Sequence, residues 1–424
     1  MAVTSSSSSS SFKHWLGALL LAVLSFSHVA SAKVDDPAKS TAPYHKGFAL
    51  FRSSNMANAD KLASGIGFHS FRIPSVVTTG TGRILAFAEG RRHDNRDFGD
   101  INLVYKRTKT TTNNGADPSD WEGLKEVVGS GDGTWGNPTA VVDGTTIYLF
   151  LSWNGGAYSQ RGGPDDKLPN GKRTKPIDST WEGRRHVFLT ESRDDGATWS
   201  KPVDMTKQLT PEGKAWDAVG PGNGIVLTSG EIVIPADGRN IIGRGTPDKR
   251  TWTHQSLKGA GSEGTVAQTP DGKLYRNDRS PKEAGYRKVA RGTLTSFSGF
   301  ALDKGLPDPG CEGATLFYNP KEPKAPSRVV FLNSADKTRR LFMRVRISYD
   351  DDAAKWTYGR SLSDAPIAGV GNEGGYSSMT KTKDWKIGAL VETDFYQTHG
   401  TKDDHRAIVW RRWNLSWVLH GAKN

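Results

Sequence analysis

Apolar residues along this 424-residue chain gather in short runs instead of recurring at helical spacing. Arg83–Ala88, Thr146–Leu151, His186–Thr190, Gly230–Pro235, Arg328–Leu332 and Lys386–Val391 are each five or six residues rich in Val, Ile, Leu and Phe. Turn-forming clusters separate such runs: Thr79-Gly-Thr-Gly, Asp143-Gly, Ser229-Gly and Pro270-Asp-Gly-Lys. Short apolar runs bounded by Gly, Pro and Asp predict β-strands. One turn repeats. Ser192-Arg-Asp-Asp-Gly-Ala-Thr-Trp199 has the form S-x-D-x-G-x-T-W, a hairpin in which Asp and Gly meet tight-turn geometry and the Trp packs beneath. Ser348–Trp356 is an eroded copy and Thr246–Trp252 a weaker one.

The N-terminal pattern is different. A Ser-rich start leads to Lys13 and His14, then to the apolar run Trp15–Leu24, and ends at Ala30-Ser31-Ala32. That order predicts a secretory signal peptide over residues 1–32, cleaved after Ala32, and so an extracellular protein with no stable membrane insertion. Lys33–Ser40 reads as a flexible lead-in. The remaining 424 − 32 = 392 residues form one predicted domain, 33–424, which divides into six modules of about 65, room for a four-stranded blade plus loops.

Composition sharpens this. Forty-eight Gly, 21 Pro and 13 Trp suit many turns and large buried rings, and a single cysteine, Cys311, excludes an intramolecular disulfide framework. Fifty-seven basic and 45 acidic residues leave a net charge of +12, which suggests a polyanionic partner. There is no basic helix or RNA-binding motif, so nucleic acid is not the expected partner. No metal or cofactor is expected, since the ten histidines form no ligand cluster and no phosphate-loop or H-E-x-x-H motif is present.

Phe71-Arg-Ile-Pro74, followed by the Asp-box turn at Ser192–Trp199, resembles the exo-sialidase family of glycoside hydrolases, and secreted fungal sialidase-like members in particular. Ala86-Phe-Ala-Glu-Gly-Arg91, Gly220-Pro-Gly-Asn-Gly, Ser262-Glu263-Gly and Asn277-Asp-Arg279 follow in the family's order. The resemblance implies an all-β, six-bladed β-propeller. It also implies removal of terminal sialic acid, either N-acetylneuraminic acid or its deaminated relative KDN, from glycoconjugates. A sugar acid carries its carboxylate on the anomeric carbon, and planar, permanently charged guanidinium groups suit such an anion. The resemblance assigns that clamp to Arg72, Arg279 and Arg340. Arg340 is taken over Arg339, Arg344 and Arg346 for its distance to Ser348, 348 − 340 = 8 positions. Tyr376, in Gly374-Gly-Tyr-Ser-Ser, is the implied nucleophile and Glu263 its activating base. Asp97 is the implied acid/base, with Asp94 and Asp100 as alternatives, and Arg91 a candidate for the C4 side of the sugar. The polar stretch Thr174–Arg185 is a candidate pocket wall.

The sequence is also compatible with transfer to a sugar acceptor and with a non-catalytic propeller lectin that keeps only the arginines. Asn414-Leu-Ser416 is a glycosylation sequon in a predicted last strand. The protein is expected to be a monomer or weak homodimer.

Overall fold

The structure, a computed structural model, describes residues 36–129, 131, 133–319, 325–394 and 405–421. The predicted signal peptide lies outside these residues. Each apolar run picked out above is a strand, and all but the one at His186 are the second strands of their sheets.

Six antiparallel four-stranded arrays follow one another along the chain. The first is Ser70–Thr78, Ile84–Arg91, Ile101–Arg107 and Lys125–Val128; the second Gly133–Asp143, Thr146–Gly155, His186–Ser192 and Val203–Asp204. The third is Ile225–Val226, Ile232–Ala236, Arg239–Arg244 and Thr251–Ser256; the fourth Gly264–Gln268, Leu274–Asp278, Tyr286–Gly292 and Ala301–Pro307. The fifth is Ala314–Tyr318, Arg328–Ser334, Met343–Ser348 and Tyr358–Ser361. The sixth takes Glu373–Lys381, Ile387–Thr393 and Ala407–Trp413 from the end of the chain and His45–Arg52 from its beginning. The first strands of successive arrays touch in a closed circuit, the sixth against the first. This is a propeller. The final strand closes the ring as predicted, with the early strand laid outside it, His45 opposite Trp413 and Arg52 opposite Ala407.

The second strands read as unbroken apolar runs because each is buried on both faces between neighbouring blades. In Ile84–Arg91, Ile84, Ala86 and Ala88 pack against Leu390, Ile408 and Trp410 of the sixth blade, while Leu85 and Phe87 pack against Leu149 and Leu151 of the second. Tyr148 and Phe150 turn the other way, onto Ile232 and Ile234. Each such large side chain contributes about 1.5–3 kcal/mol by leaving water.

All three predicted turn repeats join the third strand of a blade to its fourth. In the intact one, Asp194 accepts from the Ala197 and Thr198 N–H groups at 3.0 Å each, and Trp199 packs edge-on to Phe87 and Tyr105. Trp252 packs edge-on to Phe150 and Trp356 lies tilted against Phe331.

One expectation is corrected. The lead-in is not free from Asp36 onward, because the buried Asp36 carboxylate pairs with Arg328 and accepts from Tyr349 Oη at 2.6 Å. Among the described residues no helix is long and apolar enough to cross a membrane. The sequon asparagine is a helix cap: Asn414 Oδ1 accepts from Trp417 N at 3.0 Å and from Tyr44 N at 2.9 Å, while its Nδ2 donates to Ala42 O at 2.8 Å.

Candidate active site

The site is built where inner strands break their ladders. In Ser70–Thr78 the pairing register slips between Arg72 and Ser75, because Pro74 has no N–H to give. Ile73 takes φ 54°, a costly left-handed conformation for a β-branched residue. Its freed N–H donates to Glu392 Oε1 at 2.9 Å. The same device recurs at Asn137, also at φ 54° and followed by Pro138: the Asn137 N–H donates to Glu89 Oε1 at 3.0 Å. In Glu373–Lys381 the register slips before Ser377 at Gly375, φ 108°, and Tyr376 N donates to Glu392 Oε2 at 3.0 Å. Each break aims a side chain at the pocket, and a buried carboxylate accepts the backbone donor the ladder has lost.

Glu392 is therefore shared. Besides the two backbone groups, it accepts from Arg72 Nε and Nη2 at 3.2 and 3.3 Å. It is fully buried, Arg72 nearly so, and it holds the Arg72 strand and the Tyr376 strand to one another.

Tyr376, Glu263 and Arg279 form a second unit. The hairpin Gly264–Gln268 and Leu274–Asp278 places Glu263 and Arg279 side by side, Arg279 N donating to Glu263 O at 2.7 Å, as their spacing predicts. Tyr376 Oη donates to Glu263 Oε1. Arg279 Nη1 reaches Glu263 Oε2 at 2.6 Å and Tyr376 Oη at 3.0 Å. Burial, then the charge of Glu263, push the Tyr376 hydroxyl well above its ordinary range. Burial acts upward on Glu263 too, but the Arg279 guanidinium and the tyrosine hydrogen bond hold its carboxyl below the usual value. A deprotonated carboxylate thus faces a neutral phenol.

Arg72 and Arg340 each place the guanidinium carbon 5.3 Å from the Tyr376 ring centroid. Arg340 lines the pocket, and its carbonyl lies where any side chain at Gly374 would stand, so Gly374 is required there. Its three sequence neighbours point elsewhere. Arg339 lies 3.9 Å from Asp336, Arg344 donates to Gly359 O, and Arg346 to Asn333 Oδ1.

Of the three acidic candidates on the first-blade loop, only Asp97 lines the pocket. Asp94 instead accepts from Arg96 N, and Asp100 pairs with Arg92. The Asp97 side chain is 75 % exposed, with Oδ1 2.7 Å from Arg91 Nη2 and 3.2 Å from Arg72 Nη1. Desolvation by its surroundings raises its pKa, but Arg91 and Arg72 more than offset this and hold it far below the carboxylate range. Arg91 is buried, fixed by Glu89 Oε2 at 2.6 Å and by Asn95 O.

The pocket these groups line measures about 640 Å³, within the range of small-molecule sites. Its wall also includes Arg185, from the polar stretch picked out in sequence, which donates to Asn137 Oδ1 and Asn154 Oδ1 at 2.7 Å and lies over Trp216. Sequence reasoning missed Asn137, Trp216 and Glu392, none of which stands in a recognisable motif. Glu89 stood within a quoted motif without a role. Among the described residues no group of His, Cys, Asp or Glu is arranged to hold a metal ion.

Fold and pocket together define a β-propeller of the glycoside-hydrolase kind with an arginine-lined cavity. A family model described as a BNR repeat-like domain matches residues 73–257. Exo-alpha-sialidase from Aspergillus fumigatus is 71 % identical over 92 % of this chain and 95 % of its own length. Exo-alpha-sialidase from Arthroderma benhamiae is 66 % identical over 97 % of this chain and 99 % of its own. Among solved structures, a leech intramolecular trans-sialidase superposes with a TM-score of 0.68 at 15 % identity, covering 89 % of this chain and 71 % of that one. The microbial sialidase Hz136 gives 0.64 at 22 %, covering 82 % of this chain and 66 % of that one, just under two thirds. Those two likenesses concern the fold. The chain belongs to the exo-alpha-sialidase family.

Proposed function

We propose that this protein is a retaining exo-glycosidase that hydrolyses terminal sialic acid, or a related nonulosonic acid such as KDN, from glycoconjugates. The observation that carries the mechanism is the contact of Tyr376 Oη with both Glu263 and Arg279. The substrate carboxylate sits among Arg72, Arg279 and Arg340. As the tyrosine oxygen attacks the anomeric carbon, Glu263 takes the phenolic proton, so a neutral group approaches a centre that a carboxylate nucleophile would meet with charge repulsion. The bond to the aglycone oxygen breaks, and Asp97 protonates that oxygen. Water then attacks the glycosyl-tyrosine, giving its proton to Asp97, and Glu263 returns the proton to the departing phenolate. Arg91 and Arg72 hold Asp97 ionised. A bound carboxylate competes for Arg72 and adds negative charge nearby, which raises the Asp97 pKa toward that of a donor.

A lectin needs only the arginines, so the tyrosine, glutamate and aspartate together favour turnover. Tyr376→Phe removes the nucleophile without opening a cavity, and turnover should fall by about 10³-fold or more with the melting temperature unchanged. A fluorogenic-glycoside assay alongside a thermal melt measures both, and near-normal turnover would overturn the nucleophile assignment. Paired substrates, N-acetylated or hydroxylated at C5, report which sugar is preferred. NMR of the first-released anomer reports retention. Residues 1–32 are read as a cleaved secretion signal, so the secreted protein should begin at Lys33.

A further inference from the structure

The glycine-rich segment Gly220–Gly224, one of the sequence motifs, lies on the inner side of the ring of blades. The first strand of the third blade is only two residues long, Ile225–Val226, against nine residues in the first and sixth blades. The segment takes the place of the missing strand. Gly220 N donates to Pro235 O at 2.7 Å, Gly224 N to Ala140 O of the second blade at 3.0 Å, and Gly264 N of the fourth blade to Gly220 O at 3.3 Å. Packing explains the glycines. A side chain at Gly222 would run into Gly264 O and Thr265, and one at Gly224 into Val141 and Ile234.

This close fit delivers Asn223 to the first and sixth blades, neither of which adjoins the third. Asn223 Nδ2 donates to Val76 O at 2.6 Å and, at 3.4 Å, to Met379 O, while Oδ1 accepts from Ser75 Oγ at 2.6 Å. Carbonyls only accept, so the amide sits one way round. An innermost strand has no ladder partner on the side that faces the axis, and side chains fill that edge here. Val76 N, on the same edge, donates to Ser378 Oγ at 3.0 Å. The positions matter. Ser75 stands three residues beyond Arg72 and Met379 three beyond Tyr376, where each strand has resumed its ladder after its break. Glu392 joins the same two strands at the breaks themselves. Between these ties the Arg72 guanidinium carbon stands 5.3 Å from the Tyr376 ring centroid.

We propose that Asn223 is a positioning residue for the reaction: from the axis of the propeller it sets where the Tyr376 oxygen stands relative to the carboxylate clamp. The proposal rests on the sialidase reading above. The clamp also draws on Arg279 and Arg340, which Asn223 does not touch, so its loss displaces the nucleophile and leaves substrate binding largely in place. Asn223→Ala should lower kcat about tenfold on a methylumbelliferyl glycoside of the acidic sugar, with KM within twofold of wild type. A thermal melt shows that the variant is folded at the assay temperature. A merely structural role gives a different pattern: a lower melting temperature with kcat per folded molecule kept, or a loosened clamp with a raised KM. Asn223→Asp is the second variant, and it decides the matter if the alanine variant does not fold. Its carboxylate has the shape of the amide but donates to Val76 O only when protonated. Its kcat relative to wild type should therefore match the alanine variant at pH 7.5 and climb about fivefold by pH 4.5, while the alanine ratio stays flat. Taking the ratio to wild type cancels the titration of Glu263 and Asp97. A kcat within twofold of wild type in Asn223→Ala, a loss confined to KM, or a flat ratio in Asn223→Asp overturns the positioning role. A wild-type protein inactive on this substrate overturns the sialidase reading instead.

Discussion

Glu312, buried beneath the tyrosine strand, has no basic partner in hydrogen-bond reach among the described residues: Oε2 accepts from Ser377 N at 2.9 Å, and Oε1 has no partner. Burial pushes its carboxyl well above the ordinary value near 4.5, with Glu263 and Glu392 adding to the shift and Arg287 opposing it. Its folded pKa is raised, so the folded state keeps a proton that the unfolded chain loses once pH passes the ordinary glutamate range. Stability from this group is complete below that range and declines as pH rises through it. Glu312→Gln keeps the shape and removes the proton. Wild type should lose stability relative to the variant by up to about 1.4 kcal/mol per pH unit above pH 5. Thermal melts from pH 5 to 8 measure this, and parallel curves would refute a buried neutral acid. At this scale, legibility tracked chemistry. Arg72, Glu263, Arg279 and Tyr376 stand in short motifs that the pocket brings together. Glu392 was illegible because its role is to accept from Ile73, Arg72 and Tyr376, partners 319, 320 and 16 positions away.

Among the elements, second strands were the legible ones, since burial on both faces writes an unbroken apolar run. Outer strands such as Thr251–Ser256 are mostly exposed, carry no such pattern and were missed. First strands were hidden for another reason, in that three are interrupted by the breaks that present Arg72, Asn137 and Tyr376. The Asp-box turns were legible because their geometry is local. Asp194 accepts four hydrogen bonds, from Ser192 Oγ, Ala197 N, Thr198 N and Thr198 Oγ1. Asp194→Ala leaves those donors to water and loosens the seat of Trp199, at a cost of about 0.5–1.5 kcal/mol. Chemical denaturation should show that loss, and since the turn lies outside the pocket, kcat should hold; an unchanged midpoint would mean that the turn is only a spacer.

For the whole molecule, the net charge of +12 now divides into parts. Arg72, Arg91, Arg185, Arg279 and Arg340 converge on one pocket, and the remaining excess is a general surface property that aids approach to acidic glycans at low salt. Ring closure depends on His45–Arg52, whose Leu50 and Phe51 pack with Trp410 and Ile408. Deleting residues 45–52 exposes the edge of Ala407–Trp413 and forfeits about 1.5–3 kcal/mol for each of those two side chains, beyond the lost ladder. The truncated protein should melt lower and aggregate in size-exclusion chromatography; a monomer with wild-type stability would show that closure is dispensable. The closing blade also sets a clock. Tyr376 belongs to the one blade assembled from both ends of the polypeptide, so its surroundings are incomplete until Trp413 has left the ribosome and met His45. Pairings between residues so distant in sequence form slowly. The blade that carries Tyr376 is therefore the last of the six to be completed.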